Sequence, residues 1–270
     1  MTLYDFITLQ EQYTKHELCQ NMAETLVATT KERLYRHSHE YNWTISYLEH
    51  TDKNKVFLIT KKNKNFPEIW VSSTYTRYRA AFRKYLKEYF AIDNIPFDFH
   101  VDHMQSKFFF KNKYPEYFIR LFLLDKKINC YYGCKYEKLQ ASYEKNREPN
   151  GGYHMSFIQI AKMYGFSLPD LHTSLEQMEQ WALKFAEYLE LLGYEQKEWN
   201  YPGIISTLNA TYKNVNINHV YHTPYGRFEI HQNFFRLIQV LKKSHENCIL
   251  RKILKKHVLS DRQRGRPSVH

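Results

Sequence analysis

The first 145 residues alternate between hydrophobic patterns typical of helices and patterns typical of strands. Leu18, Met22, Leu26 and Leu34 give a helical spacing within residues 9–37. Short stretches with strand patterns follow, at 43–48, 55–60, 69–73, 97–101 and 118–124. Further helices are predicted at 75–90 and 130–145. This mixture predicts an α/β unit over residues 1–145.

The second half of the chain has a different pattern. Residues 146–152, Asn-Arg-Glu-Pro-Asn-Gly-Gly, have the composition of a linker. Beyond them the hydrophobic period is helical at 157–169, 174–192, 228–243 and 248–259, and residues 196–226 are polar and rich in Asn. We therefore expect an α+β protein, with the α/β unit followed by a mainly α-helical domain at 153–259 and a basic tail at 260–270.

One part of the helical half has a motif-like spacing. Residues 157–169 resemble the first helix and turn of a helix-turn-helix, with Ala161 inside, Gly165 at the turn and Pro169 opening the next helix. A plain helical hairpin gives the same pattern and is the simpler interpretation.

The composition is that of a globular protein with a basic end. The chain has 270 residues, 43% of them hydrophobic and 25% charged, and a formal net charge of +11. From Lys242 onward there are nine Lys or Arg and only two acidic residues, so seven of the eleven net positive charges lie there. A concentrated positive end attracts a polyanion, most often nucleic acid or an anionic membrane; with the features described below we expect DNA, with RNA as the alternative.

The sequence also bears on compartment and metal content. It has no signal-peptide pattern and no apolar run of membrane-spanning length, so we expect a cytoplasmic protein without membrane contact, although a toxin delivered by other machinery would look the same. The four Cys show no disulfide framework. Cys130 and Cys134 could bind zinc with His100 or His154, but packing on one helix face is the simpler interpretation.

The candidate chemistry lies where the strand at 97–101 runs into Asp102 and His103. A second strand at 118–124 follows, then Asn129, then the helix at 130–145. This order resembles the ββα-metal fold of HNH-type nucleases, over about residues 97–145 only. The resemblance implies that Asp102 and Asn129 bind a divalent metal, Mg²⁺ or Mn²⁺, and that His103 is the general base.

The residues after Asn129 bear on the same resemblance. Many HNH nucleases carry a further His four positions on, where this chain has Gly133. Asn129, Gly133, Glu137 and Lys138 resemble the form of the motif that ends in Asn. The alternative is a plain strand end at which both Asp102 and His103 are solvated.

These residue types suit phosphodiester hydrolysis. A hard cation on carboxylate and amide oxygens can stabilise developing charge, and a His with a pKa near neutrality can take a proton from water. Arg120 and Lys107 would add positive charge beside the phosphate.

Two other segments are candidates for nucleic-acid binding. The helix at 75–90 interleaves aromatic residues with basic ones, including Arg77, Arg83 and Lys84, which can follow a phosphate backbone. A solvated face opposite a core stripe would look the same. In the tail, Arg264-Gly-Arg-Pro resembles the core of an AT-hook, in which Arg264 and Arg266 would follow the minor groove. A disordered basic tail is the alternative.

Together these features favour a metal-dependent DNA endonuclease, of the kind that serves in phage defence, in mobile elements or as a toxin and is often restrained by an inhibitory or complex-forming protein partner. One alternative is a DNA-binding protein without catalysis, either a regulator or an architectural protein. A second alternative is a ribonuclease toxin.

Overall fold

The structure is a computed structural model that describes residues 1–20, 25–62, 64–108, 110, 114–137, 152–169, 175–193, 204, 220–223 and 226–229. The chain folds into two compact units, Met1–Asn214 and Val215–His270. The described helices are α1 (Leu3–Gln20), α2 (Lys31–Tyr41), α3 (Tyr78–Phe90), α4 (Lys126–Tyr132), α5 (Phe157–Met163) and α6 (Leu175–Leu191). The strands are β1 (Leu26–Thr30), β2 (Thr44–Ser46), β3 (Val56–Thr60), β4 (Glu68–Ser72), β5 (Phe99–His103), β6 (Tyr117–Asp125), β7 (Gly152–His154), β8 (Val220–Thr223) and β9 (Gly226–Glu229).

Strand β6 is the centre of the sheet in the first unit. Its nine residues are all buried except Asp125, as its nearly continuous apolar sequence demands. Its first half pairs with β4 and with β1, and its second half pairs with β5, always antiparallel. The sheet has the order β2-β3-β4-β6-β1-β7, with β5 as an additional neighbour of β6. In the second unit, β8 and β9 form an antiparallel hairpin.

Helices cover both faces of this sheet. One apolar cluster joins Val71, Val101 and Leu121 of the sheet to Phe82 and Leu86 of α3. A second cluster, on Leu34 of α2, contains Trp43, Phe57, Trp70 and Phe118. Burying each such side chain contributes about 1.5–3 kcal/mol, so the two clusters are the main source of stability.

Helix α1 closes an open stretch of the β6 edge. Strand β4 pairs with β6 only as far as Trp70 and Arg120, whereas β6 continues to Asp125. The Gln10 side chain replaces the missing strand: its Nε2 donates to the Leu123 carbonyl (3.1 Å) and its Oε1 accepts from the Leu123 amide (2.9 Å).

The mixed α and β character of the first part is confirmed, as are five of the strand positions. The single helix expected within 9–37 is wrong, because β1 separates α1 from α2 and buries Leu26 and Val27 in the sheet. Phe228 does not open a helix; it lies in β9.

Several other sequence predictions fall outside the described residues. They concern residues 146–151, the helix at 248–259 and the tail at 260–270. Gly152, the last residue of the expected linker, begins β7, which pairs with β1. The boundary at 146–152 therefore stays a prediction, as does a mainly helical domain at 153–259.

Candidate functional site

Strand β5 presents its side chains alternately to the two faces of the sheet. Val101 and His103 are buried on the side of α3, where Val101 belongs to the α3 cluster and His103 packs on Tyr78. His100 and Asp102 are half-buried on the other side, where Asp102 contacts α5. The neighbouring residues Asp102 and His103 therefore point in opposite directions.

On the Asp102 side, two carboxylates meet one ammonium group. Lys162 Nζ of α5 donates to Asp102 Oδ2 (2.6 Å) and also to Glu137 Oε1. Glu137 ends a π-helical turn, Gly133–Glu137, that continues α4. Lys162 is only 4% exposed. We call Asp102 and Glu137 the acidic pair, and we call Lys162 its lysine.

The electrostatics of this group follow from burial and from its like charges. Burial and the neighbouring carboxylate of Asp102 raise the pKa of Glu137, although Lys162 opposes the rise. Burial would lower the pKa of Lys162, but Asp102 and Glu137 outweigh it and raise that pKa. One ammonium is therefore shared by two carboxylates, and the like charge of Asp102 makes Glu137 harder to ionise.

His100 and Asn129 extend the same face. The side-chain amide of Asn129 in α4 lies 3.4 Å from His100 Nδ1. Helix α4 is set in place by Asp125, whose carboxylate caps it by accepting from the amides of Lys127 (2.7 Å) and Ile128 (3.1 Å). The strand–strand–helix order β5-β6-α4 thus brings Asn129 next to β5, the strand that carries Asp102. On that strand, however, the side chain that Asn129 contacts is His100.

Helix α5 is docked at the end of β5 by a capping box. Gln159 Oε1 accepts from the amide of Ser156 (2.6 Å), while its Nε2 donates to the carbonyl of Met104 (2.6 Å). The helix ends at Met163, and Gly165, two residues further on, has a φ of +67°. These two features fix the position from which Lys162 reaches Asp102.

On the opposite face, His103 lies beneath α3. Its ring centroid is 4.3 Å from that of Tyr78, and its Nε2 is buried without a hydrogen-bond partner. Burial, opposed by Asp102 and assisted by Lys107 and Arg79, lowers the pKa of His103 to about 3. His103 is therefore neutral at physiological pH.

The other predicted site residues are dispersed. Lys107 Nζ lies 4.7 Å from the centroid of the Tyr78 ring, the ring on which His103 packs. Arg77 and Arg83 are exposed on α3, and Lys84 pairs with Glu88 (3.3 Å) one turn along the same helix. Arg264 and Arg266 lie outside the described residues.

Arg120 belongs to a buried ion cluster, away from the acidic pair. Its Nη1 donates to Glu17 Oε2 (2.7 Å) and its Nη2 lies 3.1 Å from Glu68 Oε1. Lys61 and Lys64 pair with the same two carboxylates. Burial would raise the pKa of Glu68, but Arg120 and the two lysines hold it well below its usual value. The structure thus gives Arg120 two ion pairs inside the core.

The two carboxylates of the acidic pair are hard oxygen donors, although Lys162 pairs with both of them. Carboxylate oxygens are the protein ligands that Mg²⁺ and Mn²⁺ prefer, and Mg²⁺ keeps several water ligands. Among the described residues, however, no group of three or more His, Cys, Asp or Glu side chains could hold a metal. A cation here would therefore take most of its ligands from water and substrate.

Sequence reasoning missed three members of this site. His100 could have been found from its spacing of two from Asp102, which places both on one face of a strand. Glu137 lay within the recognised motif without an assigned role. Lys162 had no usable signal, because a contact across 60 residues depends on the tertiary fold.

None of the helices in the described part of the chain is long and apolar enough to cross a bilayer. Comparison of the chain with protein-family models, curated proteins and solved structures gives no match, so its function has to be inferred from its own residues.

Proposed function

We propose that this protein is a metal-dependent nuclease that hydrolyses DNA phosphodiester bonds in the manner of HNH-type enzymes. The observation that carries the proposal is that the carboxylates of Asp102 and Glu137 come together on the Lys162 ammonium, on the face of β5 that also carries His100. Two neighbouring carboxylates could hold a metal ion for phosphate chemistry if the ion took the place of the lysine ammonium.

Asp102 and Glu137 are the residues that would hold Mg²⁺ or Mn²⁺. When bound, the cation supplies charge stabilisation for the phosphate and lowers the pKa of a bound water. The side-chain amide of Asn129 lies beside His100 Nδ1, so we do not assign Asn129 as a metal ligand. We propose instead that it orients the His100 ring.

His100 is the general base in this proposal, in place of His103. A base must reach the proton that it removes, and His100 shares a face with Asp102 whereas His103 lies beneath α3. Lys162 pairs with both carboxylates at the same face, so a bound metal ion would have to displace its ammonium.

DNA is the proposed substrate because of charge. The chain carries a net +11, and Arg77 and Arg83 are exposed on α3. Such charge attracts a phosphate backbone through counterion release. We also propose that the protein serves in phage defence, in a mobile element or as a toxin, and that a protein partner controls it.

The test is a cleavage assay on DNA and on RNA with Mg²⁺, Mn²⁺ or a chelator. Wild type should cleave DNA only with the metal present. Changing His100→Ala should lower kcat by a factor on the order of 10²–10⁴, as expected for loss of a general base, and by more than His103→Ala does.

Three results would change the proposal. A larger loss of kcat in His103→Ala would return the base to His103. Cleavage of RNA alone would make the protein a ribonuclease. DNA binding without cleavage under any metal would leave a DNA-binding protein without catalysis.

A further inference from the structure

The N-terminal end of α3 has features that favour an anion. No side chain caps this helix, and its first turn contains no acidic residue. The first amides of an α-helix have no intrahelical partner and carry partial positive charge. Arg77 and Arg79 add two formal charges at the end of the helix where cations are least favoured.

A buried polar atom lies beside the same helix end. His103 is 4% exposed, and its Nε2 has no hydrogen-bond partner. Its ring packs on that of Tyr78, which is the first residue of α3. Leaving such an atom unsatisfied is unfavourable, so a ligand atom that bonds it would be favoured.

Positive charge predominates at this corner, although the Asp102 carboxylate also acts on the Tyr78 hydroxyl and on the His103 ring. The Arg79 guanidinium carbon lies 4.9 Å and Lys107 Nζ 4.7 Å from the centroid of the Tyr78 ring. Lys55 Nζ donates to Thr74 Oγ1 (3.2 Å) in the loop that leads into α3. Within the described chain, no carboxylate lies within ion-pairing distance of Arg77 or Arg79.

We propose that the N-terminus of α3 binds a phosphate group of a nucleic-acid backbone, held by the first amides of the helix, Arg79 and Lys107, with His103 Nε2 as a donor. The phosphate is one that is not cleaved, because the acidic pair lies on the opposite face of β5. The inference rests on the proposed function only in taking the phosphate to be part of a DNA strand.

A neighbouring side chain favours a nucleic acid over free phosphate. Phe108 follows Lys107 directly and is 71% exposed. Unpaired bases stack on exposed aromatic rings, and an inorganic ion would make no use of one.

The experiment follows the His103 ring by NMR in full-length protein labelled at histidine, in a buffer without phosphate. Inorganic phosphate is titrated first, and then a short DNA oligonucleotide without terminal phosphates, using Asp102→Asn protein so that cleavage does not interfere. Both should shift the His103 resonances and saturate. Arg79→Gln should weaken both by about tenfold, as expected for loss of one charge-assisted hydrogen bond.

Lys87→Gln is the matched control, because it removes the same charge at the other end of α3, where Lys87 pairs with Asp93 (2.9 Å). An equal loss in both variants would overturn the site in favour of diffuse surface charge. No shift of His103 with either probe would also overturn it. A response to phosphate but not to the oligonucleotide would remove the assignment to a nucleic-acid backbone.

Failure of the proposed function gives a different result. If wild type cleaves no DNA but the oligonucleotide still binds through Arg79, the nuclease proposal falls and the phosphate site stands.

Discussion

Individual residues of β5 acquire their roles from the face to which they point. Asp102 pairs with a lysine that also pairs with a second carboxylate. The ring of His103, its immediate neighbour, is buried against an aromatic ring. Alternation along a strand therefore separates two residues that the sequence places side by side. The same rule brings His100 to Asp102.

The burial of His103 predicts a pH dependence of stability. Its pKa falls from 6.5 to about 3 on folding, so between these values the unfolded chain binds the proton and the folded chain does not. The stabilisation from His103 is complete above about pH 6.5 and is lost as the pH falls towards 3.

Urea unfolding at several pH values between about 4 and 6 measures this effect. His103→Gln should reduce the slope of the unfolding free energy against pH by about 1.4 kcal/mol per unit, the value for one proton. His50→Gln, whose parent side chain is 86% exposed, should leave the slope unchanged. Equal slopes in wild type and His103→Gln would show that His103 titrates normally.

A conservative substitution in the buried ion cluster should strongly lower the free energy of unfolding. Glu17→Gln keeps the shape of the side chain but leaves Arg120, Lys61 and Lys64 with one carboxylate. Breaking a buried ion pair costs about 3–5 kcal/mol. Thermal or urea unfolding should show a loss of that size. Glu49→Gln, with an 81% exposed parent side chain, serves as the control; similar losses in the two variants would mean that the cluster is open to solvent.

Only part of the site could be predicted from the sequence. The order strand, strand, helix was predicted because strand and helix periods are local properties, but the helix begins at Lys126 instead of after Asn129, so Asn129 lies inside it. The partners of Asp102 and Arg120 were not predicted, because Lys162 and Glu17 are distant in sequence. An Arg within an apolar run can equally bind phosphate or pair in the core, and only the fold decides between them.

At the scale of elements, α5 depends on how it ends. Gly165 closes it with the amide of Phe166 donating to the carbonyl of Ala161 (2.8 Å), at a φ of +67°. A Cβ at Gly165 would lie 2.7 Å from Ile128 Cδ1 of α4. The contact between α4 and α5 therefore depends on the absence of a side chain at this position.

The substitution Gly165→Ala should destabilise the protein by about 1–2 kcal/mol, because an L-residue is strained at positive φ. Gly133→Ala is the matched control: Gly133 has a φ of −59° and its added Cβ would meet nothing closer than 4.0 Å. That change should be neutral or stabilising by up to about 1 kcal/mol. Unfolding midpoints test the pair, and an equal effect of both changes would contradict the assigned role of the turn.

At the scale of the whole molecule, one antiparallel sheet carries two candidate sites on opposite faces of its β5 strand. The acidic pair lies on the side of α5, and the proposed phosphate site lies on the side of α3. The excess positive charge at the C-terminal end, predicted to draw the chain to nucleic acid, lies outside the described residues.

The cleavage rate of DNA in Mg²⁺, compared among wild type, Asp102→Asn and Asp98→Asn, tests the central claim most directly. Asp98 is an exposed carboxylate just before β5, so its variant removes the same charge close by. We predict that Asp98→Asn cleaves like wild type and that Asp102→Asn loses cleavage while keeping its fold. Equal cleavage by all three proteins would contradict a cation site at Asp102.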